Sequence, residues 1–291
     1  MHGGDVRVLV TGAEGQLGRD VVDACASARI DVVALGRSGL DLSEPEAPDH
    51  VLGSVPVDVV INCAAMTAVD RCETEVELAH QVNEHGVRRL AEACARRGVH
   101  LVHVSTDYVF DGRLDRPYVE TDTPNPMSVY GRSKLAGEGA VVEVLGDAAA
   151  IVRTSWVCGE HGNNMVSLVR RLAPTGTPLA FVDDQHGCPT FTADLAPALL
   201  DLAAQRDGGV FHLTNAGAVS WFEFVGEILA ASGFERSLVS PISTDQLDPP
   251  RPAPRPVNSV LANQRWIESG RSPLRDFREP LAELCARFET S

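Results

Sequence analysis

The stretch "VRVLVTGAEGQLGRD", residues 6–20, decides the fold. A β-branched apolar run over 6–12 ends in glycine, and a helical spacing takes over at 16–27. Between them Gly12, Gly15 and Gly18 stand at G-x-x-G-x-x-G spacing. Glycine lets the backbone come close to a pyrophosphate, and the free N–H groups of the helix start can then bind it. In this strand–loop–helix setting the loop predicts a dinucleotide site.

Further along, apolar runs at 30–37, 57–65, 100–110 and 149–157 alternate with helical patterns at 75–98 and 130–146. Continuous apolar strands separated by helices predict an α/β protein with a Rossmann doubly wound parallel sheet, covered on both faces. The second half is less regular. Helical patterns at 164–173, 194–205 and 221–233, a strand at 209–215 and a closing helix at 278–288 predict a smaller C-terminal α/β unit. "DPPRPAPRPVNS", 248–259, must be extended, because proline at this density ends helices and restricts its neighbours. We expect it to pack over a site. The expected division is residues 1–157 as the dinucleotide domain, with 190–215 returning to it, and 158–291 as mainly a substrate domain.

Composition narrows the classes. The net charge of −15 argues against nucleic acid, which needs a broad basic face. No run of 18 or more apolar residues appears, so no membrane span is expected, and the start of the chain leaves no room for a signal peptide. The seven cysteines are odd in number, scattered and never spaced C-x-x-C, which suits reduced thiols in a cytoplasm rather than disulfides or a zinc site.

The second strand ends "ALGRSG", without the carboxylate that usually holds an NAD ribose. Arg37 can pair with a 2′-phosphate there, which favours NADPH, with NADH possible. Asp41 and Leu42 follow closely and can line an adenine pocket.

Lys134 is the only lysine among the 25 basic residues, and Tyr130 lies four positions before it on a predicted helix. The two side chains therefore share a face. A free phenol with a pKa of about 10 is a poor proton carrier at neutral pH, and a neighbouring ammonium stabilises its phenolate. Carbonyl reduction needs such an acid to protonate the new alkoxide. Lysine's compact charge can also bond a ribose hydroxyl, where arginine's planar fork would not fit. A third hydroxyl, to hold the substrate carbonyl, should come from the end of the preceding strand, where Ser105 and Thr106 both qualify.

The segments "TGAEGQLG", "INCAAMTAVDRCE", "VHVSTDYVFDG", "PNPMSVYGRSKLAGE", "IVRTSWVCGEHGNNMV", "VDDQHGCPT" and "RPVNSVL" occur in order over residues 6 to 285. Together they resemble the extended short-chain dehydrogenase/reductases, and within them the dTDP-4-dehydrorhamnose reductase family. The resemblance implies reduction of the 4-keto group of a dTDP-4-dehydro-6-deoxyhexose by NADPH or NADH, in deoxysugar biosynthesis. It implies Thr106, Tyr130 and Lys134 as the catalytic triad. It places Gly12, Gln16, Leu17, Arg37, Asp41, Leu42, Ala64, Ala65, Thr67, Asn83 and Lys134 along the cofactor. Asp107, Tyr108, Trp156, Asn163, Asn164 and Arg255 would meet the dTDP-sugar. Cys158 stands where tyrosine often follows "SWV", and Cys63 and Met66 vary the "NxAAxT" segment, so a different sugar is open. Asp194 stands near where some relatives carry a glutamate linked to magnesium, so no metal is expected, and the chain is a monomer or homodimer. Two other readings remain: an epimerase or dehydratase with bound NAD, and a non-catalytic regulatory subunit of the same fold.

Overall fold

In the computed structural model, which describes residues 6–289, strand β1 (Arg7–Thr11) leads into α1 (Gln16–Ser27), β2 (Asp31–Leu35), α2 (Ala47–Ser54) and β3 (Val59–Asn62). Two short helices, α3 (Val69–Thr74) and α4 (Val76–His80), a π-helical turn at Gln81–Gly86 and α5 (Val87–Ala95) follow. Then come β4 (His100–Thr106), α6 (Val129–Leu145), β5 (Ala149–Thr154), β6 (Val157–Cys158) and α7 (Met165–Leu172). The C-terminal part holds β7 (Leu179–Val182), β8 (His186–Gly187), β9 (Thr190–Phe191), α8 (Thr192–Gln205), β10 (Gly209–His212) and β11 (Val219–Ser220). It ends with α9 (Trp221–Ala231), β12 (Val239–Ile242), α10 (Gln264–Glu268) and α11 (Arg278–Glu289).

Six strands form one parallel sheet in the order β2-β1-β3-β4-β5-β10. The period-2 rule of a strand explains its two covered faces. Val8 and Val10 pack into a cluster with Val21 of α1 and Leu199 of α8, while Leu9 between them points into a second cluster with Leu90 of α5. Burying a valine or leucine this completely is worth about 1.5–3 kcal/mol. A third cluster, with Val166, Phe224, Phe277 and Leu281, lies between α7, α9 and α11. Next to it β7 pairs with β12, and two-residue pairs β6/β9 and β8/β11 complete the smaller unit.

The chain departs from β1 to β2 on one side and to β3 on the other, and a crevice opens at such a switch point beyond the strand C-termini. There Thr11 Oγ1 donates to Asn62 Oδ1 at 2.5 Å, which ties β1 to β3 beneath the crevice.

Two expected elements differ. The helix expected over 75–98 is broken by the π turn, where Gly86 packs so closely on the Leu42 carbonyl that a side chain would collide with it. Gly137 of α6 meets the Asn83 carbonyl just as closely. The strand expected over 149–157 breaks after Thr154, because Trp156 takes φ +46°. That is a strained conformation for a bulky residue.

Candidate functional site

A cavity of about 760 Å³ runs from the glycine loop, across the C-termini of β1 and β4, to the smaller unit. Gly12, Gly15, Gln16, Leu17 and Gly18 form one end. Gly12 has φ +63°, and a Cβ there would stand 2.8 Å from the Ala64 nitrogen. A Cβ on Gly18 would come as near to Ala13 Cα. Gly15 starts α1 with no side-chain cap, so the first N–H groups of the helix face outward. A tight glycine cradle and an uncapped helix start fit a pyrophosphate. Ala64, Ala65 and Thr67 form the facing wall, and Leu42, Asp41 and Arg37 lie at the far end beyond β2. Arg37 is largely exposed and pairs with Asp41, Nε to Oδ2 at 2.8 Å.

Asn83 does not line the cavity. It is fully buried, accepts from Met66 N at 2.8 Å and donates to Met66 O and to Ser133 Oγ. It therefore braces the Ala64–Thr67 wall from behind.

At the centre α6 carries Tyr130 and Lys134 into the cavity. Ser128 caps this helix by accepting from Gly131 N, which sets where Tyr130 falls on the first turn. Lys134 is 2% exposed and donates to the Val104 carbonyl at 2.7 Å. Burial lowers its pKa to about 8, with the Glu138 carboxylate pulling it upward. The Tyr130 phenol is pushed above its ordinary value by burial, while a hydrogen bond with Thr106 lowers it. The expectation that Lys134 depresses the phenol meets a different arrangement here. The ammonium is turned to a backbone carbonyl, and Tyr130 is held neutral, the form an acid must have.

Of the two strand-end hydroxyls, Ser105 donates to Glu138 Oε1 at 2.5 Å, and Arg153 binds the same carboxylate. Thr106 lies on the other face of β4, as neighbours on a strand must. It accepts from Tyr108 N, donates to Asp107 Oδ1 at 3.0 Å and reaches Tyr130. Asp107 is 2% exposed; Thr106 and Ser259 both hydrogen-bond toward its carboxylate, and its Oδ2 is the less satisfied oxygen. Burial raises its pKa to about 6. Thr154 Oγ1, also on the cavity, has no hydrogen-bond partner among the described residues. These open positions would suit a ligand rich in hydroxyls.

Tyr108 packs edge-on to Tyr130 with ring centroids 5.6 Å apart. Trp156 lines the cavity, and Trp221, which sequence reasoning missed, stacks on it at 3.5 Å with planes 10° apart. Its only signal was an aromatic residue opening a helix. Three further expected contacts lie outside the cavity lining. Asn163 is exposed. Asn164 caps α7 and donates to Gly159 O and Gln16 Oε1. Arg255 forms a two-point pair with Asp70, at 2.5 and 2.7 Å, which pins the proline-rich loop, and it also hydrogen-bonds Tyr108.

Asp194 is engaged by Arg275 and Asn215. Midway along α1, ligand atoms of Asp20 and Asp23 come within 4.8 Å of one another and of a His161 nitrogen beside a separate cavity. All seven cysteines are free. No helix among the described residues is long and apolar enough to cross a membrane.

The family model "RmlD substrate binding domain" matches residues 6–290. The dTDP-4-dehydrorhamnose reductase of Mycobacterium tuberculosis is 44% identical, over 98% of this chain and 94% of its own length. The dTDP-4-keto-6-deoxy-D-glucose reductase of Streptomyces niveus is 38% identical, over 95% of this chain and 96% of its own. The crystal structure of dTDP-4-dehydrorhamnose reductase from Bacillus anthracis in complex with NADP superimposes with a TM-score of 0.93 at 34% identity, covering 99% of this chain and all of that one.

Proposed function

Because the chain belongs to the dTDP-4-dehydrorhamnose reductase family, we propose that it reduces the 4-keto group of a dTDP-4-dehydro-6-deoxyhexose, in deoxysugar biosynthesis. The observation that carries this reading is one cavity joining the glycine cradle to Thr106, Tyr130 and Lys134. When bound, the reduced nicotinamide dinucleotide supplies hydride to the carbonyl carbon. NADPH is the cofactor favoured by Arg37.

Tyr130 is the acid. Its buried, neutral phenol gives its proton to the C4 oxygen as charge develops there. Thr106, held by Tyr108 N and next to Tyr130, orients the carbonyl. Lys134 brings one positive charge into a closed site and can hold the cofactor ribose. Asp107 Oδ2 and Thr154 Oγ1 take up sugar hydroxyls, and the Trp156–Trp221 pair forms a flat apolar wall for the ring. The expected division, with 190–215 returning to the dinucleotide domain, is supported by the place of β10 at the sheet edge, while from the smaller unit Trp221 reaches the substrate end of the cavity. The seven free thiols suit a cytoplasmic setting.

The test follows nicotinamide absorbance with purified protein, NADPH and dTDP-4-dehydro-6-deoxy-L-lyxo-hexose, with the D-xylo isomer in parallel. Rapid oxidation with the L-lyxo sugar is the expected result. Oxidation with the D-xylo isomer alone would move the assignment to that sugar. No oxidation with either, despite measurable NADPH binding, overturns the reading.

A further inference from the structure

The end of β2 lacks its carboxylate in sequence, but not in space. Gly36 follows Leu35, the last residue of the strand, at the position where a side chain would reach an adenosine ribose. A Cβ built on Gly36 would have both carboxylate oxygens of Glu14 at 2.5 Å. Glu14 thus fills the space of the missing side chain. It comes from the glycine loop, and the backbone sets its place: Ala13 N donates to Leu35 O at 3.1 Å, clamping the loop to the strand end. Glu14 and Gly36 both line the cofactor end of the cavity. The Glu14 carboxylate has no ion pair or side-chain hydrogen bond among the described residues. Arg37, the neighbouring cation, is spoken for by Asp41, whose other oxygen accepts from Ser43 N and Oγ.

We propose that Glu14 is the residue that sets cofactor preference. Its carboxylate accepts hydrogen bonds from the free 2′,3′-diol of NADH and repels the 2′-phosphate of NADPH. Arg37 pulls the other way only as far as it can leave Asp41. Glu14 thus gives a structural ground for the use of NADH that the strand end, read alone, leaves open beside NADPH. This rests on the reading of the cavity as a dinucleotide site.

The test is equilibrium binding, read from nicotinamide fluorescence, of NADH and NADPH to the wild type, Glu14→Gln and the double variant Glu14→Ala/Gly36→Asp. ADP and 2′,5′-ADP, titrated by calorimetry, isolate the adenosine end. Glu14→Gln should weaken NADH and ADP by ~10-fold, the order expected for hydrogen bonds to an ionised carboxylate, and leave NADPH and 2′,5′-ADP unchanged or tighter. The double variant returns the acid from the strand itself and should recover NADH affinity. Affinities for both dinucleotides that move together, or not at all, in Glu14→Gln overturn the proposal. A wild type that binds neither dinucleotide overturns the cofactor reading itself.

Discussion

Lys134 donates its ammonium proton to the carbonyl oxygen of Val104, 2.7 Å away, inside a site where only 2% of the lysine is exposed. An ammonium this far from water opposes folding unless a partner compensates. Burial brings its pKa from 10.5 down to about 8. Below about 8 both the native and the unfolded chain carry the proton, and the full penalty is present. Between about 8 and 10.5 the native state releases the proton while the unfolded chain keeps it. The contribution of this group to stability therefore rises with pH across that window. Lys134→Met should raise the urea midpoint of the cofactor-free protein at pH 7, and the difference from wild type should shrink by pH 10. A midpoint at pH 7 that is unchanged or lower counts against this account.

Tyr130 is a buried phenol hydrogen-bonded to Thr106, and its hydroxyl is the only part that Tyr130→Phe removes. Turnover should fall by about 10²- to 10⁴-fold, the usual worth of a positioned acid. Dinucleotide affinity, measured by fluorescence titration, should stay within about threefold, since the phenyl ring and Lys134 remain. Full activity in this variant would remove Tyr130 from the role of acid.

Glu138 and Arg153 form an ion pair with both side chains 4% exposed. Arg153 Nη1 already lacks a partner, and Ser105 adds its hydroxyl to the carboxylate. Glu138→Ala would leave a buried guanidinium without its counter-charge, a change that costs about 3–5 kcal/mol. Glu138→Gln, which retains an acceptor for Ser105, should lose less. Denaturant unfolding of the two variants gives the comparison, and equal losses would show that the lost charge alone carries the cost and that the hydrogen bond from Ser105 adds nothing.

Trp221 covers one face of Trp156 at stacking distance, and both border the cavity. Trp221→Ala should raise KM for the sugar nucleotide by ~10-fold through loss of the stacked wall, with a smaller change in kcat. Affinity for the dinucleotide should not move, because its cradle lies at the other end. A matching loss of dinucleotide affinity would mean that the variant has disturbed the whole cavity.

The regular half of the fold was legible because its signals are local. The glycine spacing and the buried strands each follow from neighbours in sequence. The pairing of β6 with β9 and of β8 with β11 was not, since a two-residue strand has no period to detect. The π turn at Gln81–Gly86 was hidden for a related reason. Its last residue, Gly86, packs on the Leu42 carbonyl, roughly forty positions away in the chain. In the site, Tyr130, Lys134 and the loop glycines were found where the motifs put them. Asn83, Asn164 and Arg255 sit near the cavity but hold its walls, a distinction that depends on which way a side chain points.

By itself the sequence determined the parallel sheet, the position of the dinucleotide loop, and the helix face that pairs a tyrosine with a single lysine. Those features are set by short-range periodicity and by the backbone freedom of glycine. Tertiary structure alone decided that Ser105 is committed to Glu138 while Thr106 meets Tyr130, that Trp221 backs Trp156, and that Glu14 supplies a carboxylate at Gly36. Each of these joins side chains from different elements. Their separation in space is fixed by packing, and no spacing along the chain records it.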